Sequence, residues 1–332
     1  MRADTALDAL VSGLQGHLVA DVDWQALIAL ANHTLLTPAL FSSLAQSGQI
    51  ERLPGDVRDY LAFIDDCNRN RNLSLRAQLI ETVAAFNSRG IVPILLKGAV
   101  PLFVSPPGRL PSRMTSDLDI AVEAGEEAAA KGCLEELGYR EVPDVRGMAR
   151  PQDAGILELR RYRPDGFGCP QPVQRDGLRV KIPSLEARAM HWIMHDLLKE
   201  GDYWRGRIDL RHLHDLAQLA ESEQLDWAAL RTAMPNKTTR NALDTQLLTL
   251  HHFFGTKIPA DAAGRPMPRL QHWRRIYTVR HPVSGAPLRL AGNLAWGLSR
   301  LTRSLELARR NPIELVRRAG LILSNKGLRS KI

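Results

Sequence analysis

The stretch RMTSDLDIAV, from Arg113 to Val122, sets two acids one residue apart where an apolar run begins. In a strand, side chains at i and i+2 share a face, so Asp117 and Asp119 stand together while Leu118 and Ile120 point the other way. Two like charges held that close repel, and they need a cation between them, a proton, or open water. Asp-x-Asp at a strand start also serves as a turn or capping feature. The surrounding sequence decides between these uses.

Upstream, the β-branched run IVPILL (91–96) leads directly into KGAV, which puts Lys97 and Gly98 at a strand-to-helix turn. There a glycine admits close backbone approach, and the helix N-terminus that follows attracts anions. About fifteen residues later come Arg113, Thr115 and Ser116, then the paired acids. This order sets a phosphate cradle beside a metal site. Magnesium favours carboxylate and phosphate oxygens over an all-protein cage. The expected ligand is therefore an NTP carrying Mg2+, with Mn2+ as the alternative ion.

Further out, the hydrophobic period sets the organisation. Residues 4–88 place apolar side chains at three- and four-residue steps and read as helical, the last helix beginning near Pro54 and ending at Gly90. EEAAAKGCLEELGY (126–139) is a helix stopped by Gly138, GILELRRY (155–162) alternates as a strand does, and PVQRDGLRVKIP (172–183) reads as a hairpin turning at Asp176 and Gly177. Helices resume after Pro183. The fold class is α+β, a small mixed sheet embedded between N- and C-terminal helical regions. The expected divisions are a helical region at 1–88, an α/β core at 89–183, and a helical region with a basic tail at 184–332.

Composition narrows the function classes. With 332 residues and 44% hydrophobic content the chain supports one elaborated domain or two, each with a real core. Cys67, Cys133 and Cys169 share no paired spacing, and the N-terminus carries acids where a secretory signal is apolar, so a cytoplasmic protein is expected. No stretch reaches the roughly 20 apolar residues of a transmembrane helix. From Arg265 onward there are 15 Lys and Arg against Glu306 and Glu314, a net of +13, which leaves −5 for the first 264 residues. Within that tail, apolar residues recur at helical spacing among Arg300, Arg303, Arg309, Arg310, Arg317 and Arg318, as in an amphipathic helix with a cationic face. An anionic partner or a membrane surface suits such a face, and so does plain solvation.

Other chemistries lack their signatures. The chain has no G-x-S-x-G elbow, no Walker A string and no G-x-G-x-x-G following a strand. Aromatic content of 5% without a recognition module argues against sequence-specific nucleic-acid binding. His191 and His195 sit at i and i+4, with His212, His214 and Asp215 on the next helix, a spacing compatible with zinc. Trp192 stands where a metalloprotease places its glutamate, so that reading has no base.

The ordered set LLKGA, then R-x-x-S-D-L-D-I, then a helix ending LEELGY, resembles an uncharacterised bacterial nucleotidyltransferase family of the DNA polymerase β superfamily. Segments such as ILELRRY and HWIMHDLLKEGDYWRGRIDLRHLHDLAQLA extend the resemblance over roughly residues 20–235, without the tail. It implies a polymerase β-like core and transfer of a nucleoside monophosphate from an NTP to an acceptor, with release of pyrophosphate. Asp117 and Asp119 correspond to the metal-bridging carboxylates, and Glu158, in a segment similar to the family's acid-Leu-His, to the third ligand of a two-metal site and a candidate general base. Asp153, Asp165 and Asp176 are the other acids nearby. Lys97, Gly98, Arg113 and Ser116 would bind the nucleotide phosphates, although Arg113 has Asp117 as an alternative partner. Two departures stand out: Ala99 follows Gly98 where the superfamily has a serine, and Arg160 replaces the family's histidine. They leave room for a weak or inactive nucleotide-binding scaffold, and a phosphotransferase using the same site is a further alternative.

Overall fold

The structure is a computed structural model that describes residues 3–310, apart from 107, 144, 146, 164–167, 223 and 224. Asp165, Arg317 and Arg318 therefore lie outside the described residues. Contacts divide the chain into two compact units, one made of residues 1–11, 21–35 and 189–332, the other of residues 12–20 and 36–188. The chain is α+β, and its sheet belongs to the second unit.

That sheet has seven strands: β1 (Ile94–Leu95), β2 (Asp117–Val122), β3 (Arg140–Glu141), β4 (Met148–Ala149), β5 (Ile156–Arg161), β6 (Gln171–Arg175) and β7 (Leu178–Ile182). Their order is β3-β4-β5-β2-β1-β7-β6. The sheet is mixed, with β2 parallel to β5, β1 parallel to β7, and the remaining pairs antiparallel. Strands β2, β5, β6 and β7 fall where strands were expected from alternation and turn residues, and β1 lies within the β-branched run IVPILL. The two-residue strands β3 and β4 are too short to carry a period and were not expected.

The alternation along β2 sorts the sheet into two faces. Leu118, Ile120 and Val122 join Leu157 of β5 in a buried cluster with Leu75, Leu79, Val83 and Phe86 of the 34-residue helix Gly55–Ser88. Each side chain fully buried in this way contributes about 1.5–3 kcal/mol, which fixes the register of β2, since a one-residue slip would turn Asp119 into that core. The turns follow their residues. Asp176 (φ 49°) and Gly177 (φ 78°) make a two-residue hairpin with both central residues left-handed, joining Arg175 to its partner Leu178. The helix Glu127–Glu136 ends at Gly138 (φ 92°), where the Tyr139 N–H donates to the Leu134 carbonyl at 2.9 Å.

The first unit is helical and carries its own buried charges. Asp202 pairs with Arg207 at 3.0 Å, and Asp244 receives Arg231 at 2.8 Å and Arg265 at 2.6 Å. Fully buried Arg275 donates to Gln246, Thr249 and the Arg207 carbonyl, and loss of hydration pulls its pKa down to about 10.

Candidate active site

On the face of β2 opposite the core, Asp117 and Asp119 stand in parallel register with β5, Asp117 beside Ile156 and Asp119 beside Glu158. Partners in a parallel pair project to the same side of a sheet, so three carboxylates share one patch. Asp119 is buried, with 2% of its surface exposed, whereas Asp117 is half-buried and accepts a hydrogen bond from the Ser116 hydroxyl at 3.0 Å.

Buried carboxylates require counter-charge, and side chains of this chain supply it. The Lys97 ammonium lies 2.9 Å from one Asp119 oxygen and 3.1 Å from the other. Arg160, two residues beyond Glu158 and therefore on the same face, donates through a single Nη2 to both Asp119 and Glu158. With every group ionised, two cations face three anions. The cation that the paired acids call for is thus supplied in part from within the chain, by Lys97 in the turn after β1 and by Arg160.

Lys97 adopts a left-handed backbone (φ 46°), a conformation that costs a non-glycine residue on the order of 1–3 kcal/mol. The hydrogen bond from the Leu96 N–H to the Asp119 carbonyl at 3.1 Å and the ion pair to Asp119 hold it there. Gly98 is right-handed (φ −64°), and its lack of a side chain serves close approach: a Cβ there would come within 2.9 Å of Thr115 Cγ2. The helix that follows, Ala99–Val104, has only six residues, so the positive charge at this turn is that of Lys97 rather than of a helix dipole.

The approach to β2 is fastened by a polar row on the long helix that the sequence reading did not single out. Asn68 donates to the Ser112 carbonyl at 3.1 Å, and Asn72 to the Pro111 and Arg113 carbonyls, both at 3.0 Å. Arg71 donates to the Thr115 carbonyl at 3.0 Å and the Ser116 carbonyl at 3.3 Å, and Gln78 reaches Gly155, just before β5, at 2.9 Å. Arg71 and Asn72 stand three and four residues after Asn68, and Gln78 seven after Arg71, helical spacings that marked a shared face and were the available signal; what that face would meet was not legible. Arg113 is half-buried in the segment they hold.

Among the other acids, Asp153 pairs with Arg150 at 2.8 Å, and Asp176 occupies the hairpin turn beside Arg175 at 3.5 Å. Glu158 alone of the described candidates is in register with Asp119.

In the first unit, His191 and His195 stack with ring centroids 6.1 Å apart, and His214 lies against Phe254. The groups that converge are Asp196, Asp209 and His212, whose ligand atoms all lie within 4.8 Å of one another. His212 Nδ1 is 2.9 Å and 3.0 Å from the two Asp196 oxygens, and Asp209 accepts the His212 backbone N–H at 3.0 Å. Asp209 thereby caps the helix Leu210–Ser222. Asp196, sixteen residues from His212, shares no motif spacing with it, whereas Asp209 stands three residues before His212, a helical spacing that offered a signal.

The chain belongs to the family described as uncharacterised nucleotidyltransferase, which matches residues 20–255. Among solved structures it is similar to an antigenic nucleotidyltransferase-like protein from Paracoccidioides brasiliensis, at 17% identity and a TM-score of 0.38 over 57% of this chain and 95% of that one. It is also similar to the antibiotic-resistance factor ANT(2'')-Ia, at 17% identity and a TM-score of 0.34 over 54% of this chain and 97% of that one. No curated protein matches the chain.

Proposed function

We propose that the protein is a divalent-ion-dependent nucleotidyltransferase that moves a nucleoside monophosphate from an NTP to an acceptor hydroxyl and releases pyrophosphate. The observation that carries this reading is the register of Asp119 with Glu158, beside Asp117 and within reach of the Lys97 ammonium. The all-oxygen donor set of Asp117, Asp119 and Glu158 suits Mg2+ or Mn2+, although the position between Asp119 and Glu158 is already spanned by Arg160. When bound, the ion would neutralise triphosphate charge and acidify the acceptor. Lys97 pairs with phosphate oxygens, and Ser116 and Arg113, on the segment leading into β2, face the same ligand. Glu158 takes the acceptor proton as the acceptor oxygen bonds to the α-phosphorus and the bond from that phosphorus to the β-phosphate oxygen breaks.

The test is incubation with α- and γ-labelled NTPs, Mg2+ or Mn2+, and a cell lysate as the source of acceptors. Label from the α-phosphate alone is expected in product. Label from the γ-phosphate would instead make the protein a phosphotransferase, and NTP binding by calorimetry without labelled product would make it a nucleotide-binding scaffold.

For the C-terminal region we propose a cytoplasmic protein held at an anionic membrane surface. In the helix Ala286–Arg310, Leu290, Leu294 and Leu298 recur every four residues with 61%, 61% and 66% of their surfaces exposed. This stripe belongs to the stretch of sequence that carries the +13 net charge. No single helix among the described residues is long and apolar enough to cross a membrane, so contact would be at the surface.

A further inference from the structure

Resting on the nucleotidyltransferase reading, we propose that Arg160 is a resident cation standing in for one of two metal ions, so that this site takes a single divalent ion, on the Asp117 side. Nη2 of Arg160 bonds both Asp119 and Glu158, so one –NH2 group spans the gap between neighbouring strands that a bridging ion would occupy. Both oxygens of Asp119 are engaged, one by Arg160 and Lys97 together and the other by Lys97. Asp117 is different: it is half-buried, and its bond to Ser116 is to a neutral hydroxyl.

Charge-assisted hydrogen bonds from arginine to carboxylate are about twice as strong as neutral ones. An ion entering between Asp119 and Glu158 must break two of them and leave the guanidinium beside a second cation, in a site already holding Lys97. An ion at Asp117 breaks neither. The β2–β5 register makes the arrangement rigid, because Arg160 pairs with Ala121 and so lies on the carboxylate face directly after Glu158. Arg160 is thereby a positioning residue for Glu158 and a block to a second metal.

The experiment counts Mn2+ by electron paramagnetic resonance and calorimetry, using the full chain with a non-hydrolysable NTP, for wild type, Arg160→Gln and Arg160→Lys. Glutamine keeps much of the volume and removes the charge; lysine keeps the charge. One ion is expected in wild type and in Arg160→Lys, and two in Arg160→Gln, whose second ion also gives a larger Mn2+-dependent rise in melting temperature than in wild type. Two ions in wild type, or one in all three proteins, overturns the proposal, as does the absence of Mn2+ from every variant. Its failure is distinguishable from failure of the functional reading. A one-to-two change without transfer of α-label leaves the resident cation and removes the activity, whereas α-label transfer with unchanged stoichiometry does the reverse.

Discussion

At the residue scale, the two aspartates that begin β2 do unequal work. Asp119 is buried and holds two cations, so removing its charge takes the ion pair from Lys97 and leaves Arg160 with Glu158 as its carboxylate partner. Breaking a buried pair from one side costs about 3–5 kcal/mol. Asp117 is half-buried and meets a serine hydroxyl, so the same change there disturbs little of the fold. Asp119→Asn is therefore expected to lower both the melting temperature and transfer of α-label. Asp117→Asn should sharply reduce transfer, because it removes a ligand to the catalytic ion, while shifting stability by under about 1 kcal/mol. Thermal unfolding and the labelling assay, run on both variants, separate the two effects. Equal destabilisation by both would refute the distinction. Period-two alternation in Asp117-Leu118-Asp119 made the shared face legible from sequence. It also put Arg160 on the face of Glu158, but which neighbour Arg160 would meet depended on the β2–β5 register, a long-range pairing that alternation within one strand does not specify.

At the element scale, the helix Gly55–Ser88 does more than cover the sheet. Its apolar side chains form the core while Asn68, Arg71 and Asn72 satisfy carbonyls of the irregular segment that delivers Asp117. The segment has no sheet partner of its own there, so these side chains replace the missing ladder bonds. Helical periodicity located the helix and the faces it offers; it carried no information on the loop received. Replacing Asn72 with Ala removes two such bonds, at about 0.5–1.5 kcal/mol each, so a loss of about 1–3 kcal/mol is expected. Asn72→Asp should be worse, because its carboxylate would face the Pro111 and Arg113 carbonyl oxygens with no proton to donate. Denaturant unfolding ranks the two variants, and both should lower transfer although Asn72 does not belong to the carboxylate cluster. An Asn72→Asp protein as stable as wild type would show that the segment is held by other means.

At the scale of the whole molecule, charge and family membership divide the chain differently. The family match runs from 20 to 255 and so includes residues of both units, while the excess of positive charge begins after it, at Arg265. The catalytic proposal rests on the matched part, and the basic tail needs a separate explanation. Exposed leucines alone would suit a second copy of the chain, a groove in another protein or a lipid surface; Arg265, Arg275 and Arg280 are engaged inside the protein, but the +8 that the sequence carries from Arg289 onward favours an anionic lipid surface, since copies of so basic a segment repel one another. The 332-residue protein is therefore expected to sediment with vesicles containing a large fraction of phosphatidylglycerol and to stay in the supernatant with phosphatidylcholine alone. Raising salt from about 0.05 to 0.5 M shortens the Debye length severalfold and should release it. Replacing Leu290, Leu294 and Leu298 with Glu should abolish binding without altering the fold, because all three side chains are solvent-exposed. Vesicle binding that survives this triple replacement would assign the contact to charge alone, and a concentration-dependent dimer in light scattering, lost in the same variant, would assign the stripe to self-association instead.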